Sequence, residues 1–207
     1  MRVLVTAGPT REPLDPVRFL GNRSSGRMGY SIARALLARG HEVILVSGPT
    51  SLKPPKGVVL EAVETGRQML TACRKHWKTC DALFGVAAVA DYRPAKASKR
   101  KLKKTENGSK TLELVSNPDI LATLARSKGK RLAFGFALES GSGLTEALRK
   151  LRDKNLDWIA LNGPEAQGSK ISSLRVLGAD GSDHLLGPAN KEALARTLVR
   201  TALGSNY

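Results

Sequence analysis

Short apolar runs alternate with helical repeats along this chain. Arg2-Val3-Leu4-Val5-Thr6-Ala7 reads as a short strand buried on both faces. A long loop follows, in which Gly8-Pro9-Thr10 and Pro13-Leu14-Asp15-Pro16 exclude a regular element. From about Gly26 to Arg39, Met28, Ile32 and Leu36 recur at helical spacing, and Gly40 supplies the stop. Glu42-Val43-Ile44-Leu45-Val46 is a second buried strand. Strand, helix and strand together imply a right-handed parallel crossover. The same pattern predicts a helix over Thr65–Trp77, a strand over Ala82–Ala90, a helix over Pro118–Ser127 and a strand over Arg131–Ala137. It continues with a helix over Leu144–Lys154, a strand over Asp157–Leu161 and a last helix over Lys191–Leu203.

Two hairpin insertions are expected. Lys101–Thr105 and Lys110–Val115 flank Glu106-Asn107-Gly108-Ser109, an Asn-Gly turn that tolerates positive φ. Ser173–Leu177 and Asp183–Leu186 flank Ala179-Asp180-Gly181-Ser182 in the same way. The fold class is therefore α/β: a doubly wound, mostly parallel, Rossmann-like sheet with helices on both faces and two β-hairpin insertions. With 207 residues and no repeat or linker, one domain over residues 1–207 is expected.

Composition narrows the classes. Hydrophobic residues at 41 % and charged residues at 25 % exclude disorder, and aromatics at 4 % leave packing to aliphatic side chains and alanine. The longest apolar stretch, Ala82–Ala90, is too short to span a membrane, which takes about 20 residues. No secretory signal precedes the first strand, so a cytoplasmic location is expected. Cys73 and Cys80, seven residues apart along one helix, would stand about 10 Å apart, too far for a disulfide. His41, His76 and His184 are scattered and make no zinc-ligand spacing.

Charge changes the picture more. The net charge of +16 calls for an anionic partner. Six of the nine residues from Lys96 to Lys104 are basic, namely Lys96, Lys99, Arg100, Lys101, Lys103 and Lys104.

A doubly wound sheet binds ligands beyond the carboxyl ends of its strands. Small residues gather there: Gly8-Pro9-Thr10, then Asn22-Arg23-Ser24-Ser25-Gly26-Arg27-Met28-Gly29 entering a helix, and Ser47-Gly48-Pro49-Thr50 after the second strand. The glycine spacing is not that of a dinucleotide fingerprint, and no P-loop occurs. Asp91 follows the third strand beside the basic run, and Phe136 and Glu139 follow the fourth. Asn117-Pro118-Asp119-Ile120 reads as a helix start, with Asn117 as N-cap and Pro118 at the first helical position. Lys150 and Lys154 are four apart near a helix C-terminus, where solvated lysines are common.

Several of these segments resemble one family in order. Val5-Thr6-Ala7-Gly8-Pro9-Thr10-Arg11-Glu12-Pro13-Leu14-Asp15-Pro16-Val17-Arg18, with Asn22, Ser24-Ser25-Gly26 and Met28-Gly29, resembles the opening of phosphopantothenoylcysteine synthetase, also called phosphopantothenate–cysteine ligase. The likeness continues through Ala87-Ala88-Val89-Ala90-Asp91-Tyr92-Arg93, Lys101-Leu102-Lys103-Lys104, Asn117-Pro118-Asp119-Ile120, Gly135-Phe136-Ala137 and Lys154-Asn155-Leu156-Asp157. It departs at Leu138, at Gly163 and over Gln167–Ser173, where the family has other residues.

The resemblance implies a stand-alone ligase of coenzyme A biosynthesis that works beside a separate decarboxylase. In that reaction the carboxylate of 4′-phosphopantothenate attacks the α-phosphate of a nucleotide, CTP by likeness to the bacterial form with ATP as the alternative, and with CTP the amine of cysteine then displaces CMP from the acyl-cytidylate. Mg²⁺ and a homodimer are implied as well. By the same resemblance Asn22, Arg18 and Lys101 are the catalytic candidates. Asp91, Lys101, Asn117, Pro118, Asp119, Ile120, Phe136, Lys150 and Lys154 are the nucleotide-binding ones. Gly8, Ser24, Ser25, Gly26 and Gly48 are the backbone loops that receive phosphate, and no metal ligands are named. From the residues alone, two other classes compete. A nicotinamide-dependent oxidoreductase shares the sheet, and a basic nucleic-acid-binding protein shares the charge but lacks aromatics interleaved in the basic run.

Overall fold

The computed structural model describes residues 1–104, 108–138, 143–162 and 171–204. At its centre, apolar runs have become strands covered on both faces. They are β1 (Arg2–Ala7), β4 (Glu42–Ser47), β6 (Ala82–Gly85), β9 (Leu132–Leu138) and β10 (Trp158–Asn162). A sixth parallel strand, β5 (Val59–Ala62), absent from the sequence pattern above, pairs with β4 at the edge. The parallel part of the sheet runs β5-β4-β1-β6-β9-β10. In chain order this is 3-2-1-4-5-6, the doubly wound order whose direction of winding reverses between β1 and β6.

Two antiparallel strands, β11 (Ile171–Gly178) and β12 (Asp183–Asn190), extend the sheet beyond β10. The second expected hairpin is thus longer than its turn suggested and belongs to the main sheet. The first differs more. Lys101–Lys104 and Lys110–Glu113 form no strand, and its turn, Glu106-Asn107, lies outside the described residues. Instead β8 (Leu114–Ser116) pairs with β7 (Tyr92–Pro94), because Ala95 N–H and Asn117 N–H bond to Glu113 and Asp91 and close the ladder at both ends.

The loop after β1 also holds a small element. β2 (Arg11–Pro13) and β3 (Phe19–Gly21) form an antiparallel ribbon, and Pro13 is tolerated because it ends the strand. Asp15 closes the turn between them by accepting the N–H groups of Val17 and Arg18.

Helix α1 (Arg27–Ala38) and helix α5 (Lys191–Leu203) cover one face of the sheet. α2 (Gly66–Trp77), α3 (Ile120–Ala125) and α4 (Leu144–Asp153) cover the other. Val3 and Val5 point into the first core layer and Leu4 into the second, all without exposure, so β1 needs apolar residues on both faces from Val3 to Val5. Each such side chain contributes about 1.5–3 kcal/mol by burial. Thr65 and Gln68 start α2 with a capping box, and the Asn190 side chain accepts the Ala193 N–H at the start of α5.

The start of α3 corrects the expected cap. Asp119, not Asn117, is the N-cap and accepts the Ala122 N–H, and the helix begins at Ile120. Asn117 is diverted because its Nδ2 donates to Ala90 O at 2.9 Å. The strand expected over Ala82–Ala90 likewise stops at Gly85. Beyond it the Thr6 hydroxyl accepts the Val86 and Ala87 N–H groups, and the Thr10 hydroxyl accepts that of Ala90, so these amides leave the ladder. Both cysteines are free, as expected, and buried, although Cys80 lies beyond the end of α2 and the helical spacing does not apply to it.

Candidate active site

The winding reversal leaves a cleft of about 710 Å³ beyond the carboxyl ends of β1, β6, β9 and β10. Its floor is the Val86–Asp91 segment, a peptide strip held by the two threonines beneath it. Asn22 fastens the strip from the other side, with Nδ2 donating to Ala88 O and to Val89 O, each at 3.1 Å. The side-chain nitrogen of Asn22 is thus committed to the floor, which leaves its oxygen as the group able to accept from a ligand.

One wall is the start of α1. Ser24, Ser25 and Gly26 line the cleft, and Gly26 is the N-cap with φ +76°. A side chain there would be strained, and its Cβ would press on Gly8 at 3.3 Å. Gly8 and Gly48 do not line the cleft but underpin it. A Cβ on Gly48 would fall 1.8 Å from Pro9 O, so the loops after β1 and β4 meet backbone to backbone.

The facing wall brings together Asn117, Pro118, Asp119 and Ile120 with Phe136, Lys150 and Lys154. Lys154 pairs with Asp119 at 2.7 Å, and the Phe136 ring packs at a tilt of 42° on the buried Phe134, with ring centroids 5.5 Å apart. Asp91 lines the edge of the cleft and is exposed. Two candidates stand apart: neither Arg18 nor Lys101 lines this cleft. Glu139 and residues 163–170, which hold Gly163 and most of the divergent segment, lie outside the described residues.

Further cleft residues were not among the site candidates: Thr6, Arg23, Arg27, Asn162 and Lys191. Lys191 begins α5, a position that favours an acid, so a lysine there was a visible signal. Burial lowers its pKa, and the nearby Arg27 lowers it further. Asn162 ends β10, and its buried Oδ1 has no hydrogen-bond partner among the described residues. The cleft thus offers cations on both walls, neutral amides and an aromatic face, a set suited to phosphorylated ligands.

The family described as "DNA/pantothenate metabolism flavoprotein C-terminal domain" matches residues 1–204. The chain belongs to this family. It is 40 % identical over 212 residues to the coenzyme A biosynthesis bifunctional protein CoaBC of Mycobacterium tuberculosis, covering 96 % of this chain and 51 % of that protein. The same protein of Escherichia coli is 41 % identical over 206 residues, with 96 % and 50 % covered. The chain thus spans about half the length of the curated relatives it matches. Among solved structures, the C-terminal domain of CoaBC superimposes with TM-score 0.84 at 40 % identity, over 97 % of this chain and 92 % of that one. A Cab2 mutant complex with phosphopantothenate-cysteine reaches TM-score 0.84 at 19 % identity, over 98 % and 85 %, a likeness of fold alone. Membership in the flavoprotein C-terminal domain family separates this cleft from the nicotinamide dehydrogenases that share its strand order.

Among the described residues no helix is long and apolar enough to cross a membrane.

Proposed function

We propose that this chain is a phosphopantothenate–cysteine ligase that activates its acid with CTP and Mg²⁺. One observation carries the reading: residues from motifs spread from Asn22 to Lys154 line a single cleft at the winding reversal of the sheet. Family membership and the CoaBC relatives support the same activity.

The chemistry follows from the charges. A carboxylate oxygen of phosphopantothenate attacks the α-phosphorus of CTP, the bond to the β-phosphate oxygen breaks, and pyrophosphate leaves. Lys150 and Lys154 offset the charge of the phosphates, and positioning supplies most of the acceleration. The amine of cysteine then attacks the acyl carbon, loses a proton and expels CMP. The free oxygen of Asn22 is placed to accept from that amine.

Mg²⁺ is held in such reactions by one or two carboxylates and the substrate's own phosphates. No cluster of three or more His, Cys, Asp or Glu is present among the described residues, a composition that fits an ion arriving with the nucleotide rather than a resident metal. Asp91 would hold it, because Asp119 is engaged by Lys154 and by the Ala122 N–H. Bound there, the ion would neutralise charge on the leaving pyrophosphate.

A homodimer with shared sites belongs to this proposal. Val17, Phe19, Tyr92, Leu112 and Leu114 are exposed apolar side chains on or beside the two small ribbons, an unusual concentration for solvent. Arg18 and Lys101 lie near them and outside their own cleft, as expected of residues that serve a second copy.

Incubation with phosphopantothenate, cysteine, Mg²⁺ and each of the four nucleotides, followed by assay of pyrophosphate and ligated product, tests the reaction. Turnover with CTP above the other three is expected, and no turnover with any nucleotide refutes the proposal. Mixing Asn22→Asp with Lys101→Gln subunits tests sharing. Activity returns if Lys101 acts across the dimer and stays lost if it acts within its own chain.

A further inference from the structure

Asp15 lies outside the cleft, and its side chain has no exposed surface. Its two oxygens are fully engaged. Oδ1 accepts the N–H groups of Val17 at 2.8 Å and Arg18 at 2.9 Å. Oδ2 accepts Arg18 Nε at 3.0 Å, Arg18 Nη2 at 2.6 Å and, from far along the chain, the Leu102 N–H at 3.0 Å. Arg18 Nη2 also donates to Leu102 O at 2.6 Å. Leu102 is therefore gripped at both its N–H and its C=O, by a carboxylate and a guanidinium that also hold each other. A third tie, Ser98 N–H to Leu14 O at 2.9 Å, fastens the same segment to the same turn.

We propose that Asp15 is a positioning residue for the reaction: together with Arg18 it clamps the Leu102 peptide and so sets where the adjacent Lys101 stands during nucleotidyl transfer. The proposal rests on the ligase reading and adds to it a residue that touches no substrate.

Three features support the clamp over a plain turn. A carboxylate needs only the Val17 and Arg18 N–H groups to close the β2–β3 turn, yet Asp15 reaches a second segment. The grip is on main-chain atoms, so it fixes the direction of the peptide whatever side chain residue 102 carries. Charge-assisted bonds of this kind are about twice as strong as neutral ones. The aspartate is held well below the usual carboxylate range, with the Leu102 N–H as the largest influence. Burial opposes it, and the Arg18 guanidinium and the turn N–H groups add to it.

The experiment is a double-mutant cycle on pyrophosphate release by the full chain. Asp15→Asn keeps the shape and removes the charge shared by Arg18 and Leu102. It is expected to lower kcat about tenfold, with KM for cysteine unmoved, since misplacement of a catalytic group acts on the transition state. In a Lys101→Gln background the same substitution is expected to cost less than about twofold, because coupled residues are not additive. Replacing Leu102 by its α-hydroxy analogue, which turns the Lys101–Leu102 amide into an ester and so removes the gripped N–H without fixing φ, is expected to behave like Asp15→Asn and decides the matter if that variant does not fold. Amide exchange at Leu102 is expected to be slow in the wild type and fast in Asp15→Asn. Losses that multiply with Lys101→Gln overturn the positioning role, as does an unprotected Leu102 amide in the wild type. A wild type that releases no pyrophosphate overturns the ligase reading itself, which distinguishes the two failures.

Discussion

Lys154 Nζ stands 2.7 Å from Asp119 Oδ2, which joins the end of α4 to the start of α3, and both side chains line the cleft. The other oxygen of Asp119 caps α3 through the Ala122 N–H at 2.9 Å. The two partners therefore have separable duties. Asp119→Ala should lower stability by about 1 kcal/mol, the usual effect of losing an N-cap. Lys154→Gln should change stability by less than about 1 kcal/mol, as partly exposed ion pairs do. It should nevertheless weaken nucleotide binding about tenfold through loss of a charge-assisted bond. Denaturant melts and nucleotide titrations on both variants check the split, and an equal loss of stability in both would contradict it.

Asn22→Asp replaces a donor with a carboxylate oxygen beside Ala88 O and Val89 O, which the native amide meets at 3.1 Å. Three acceptors then face one another, and negative charge is added next to the acyl-cytidylate. Product formation should fall at least about 100-fold, the scale of a small misplacement of groups around the reacting atoms. The second half-reaction should suffer more than the first, so that the intermediate accumulates. Quenched samples analysed by mass spectrometry show whether it does; unchanged product formation would remove Asn22 from the site.

Gly48→Ala should be among the most damaging single-methyl additions in the chain. Its Cβ would lie 1.8 Å from Pro9 O, a main-chain atom that cannot swing aside. A loss of about 3 kcal/mol is expected from the overpacking. Gly40→Ala, whose Cβ meets nothing within 4 Å, should show only the strain of its φ of +78°. Comparing their thermal melts tests whether backbone contact or backbone torsion dominates.

Burial pushes the Cys73 thiol up to about 12 and the Cys80 thiol up to about 11. At pH 8 a thiol reagent should find no reactive sulfur in the native protein and two equivalents after denaturation. The unfolded chain ionises near the ordinary thiol value of 9.0, before the folded one. Stability from these groups is therefore complete below pH 9 and declines as pH rises from there toward 11–12. Replacing Cys80 with alanine should reduce that alkaline loss, as read from melting temperature against pH.

The parallel strands were legible because burial on both faces demands unbroken apolar runs, as in Val3-Leu4-Val5. β5 was harder, since an edge strand carrying Glu61 among exposed Val59 and Leu60 lacks that signature. The floor of the cleft was misread for a physical reason. Val86–Ala90 is as apolar as a strand, but hydroxyls some 80 residues away, on Thr6 and Thr10, divert the Val86, Ala87 and Ala90 amides, and the Ala88 N–H bonds to Gly8 O. Asn117 and Asp119 are equally good caps in isolation, and the choice fell to Asp119 through Asn117's bond to Ala90 O, another distant contact. Asn22, Phe136, Lys150 and Lys154 were found through motif resemblance. Arg27 and Lys191 were visible only as part of a loop and as an out-of-place cation at a helix start, and Asn162 joins them through proximity in space alone.

Thr10 has no exposed surface and does not line the cleft, yet it fixes the Ala90 amide at 2.9 Å. For anyone seeking to change what this protein accepts, the floor's own side chains are therefore a poor place to begin. Libraries confined to cleft-lining positions would reach Thr6 and Asn22 but miss Thr10. A Thr10→Val exchange, invisible to such a library, would free one amide and redraw the surface from below.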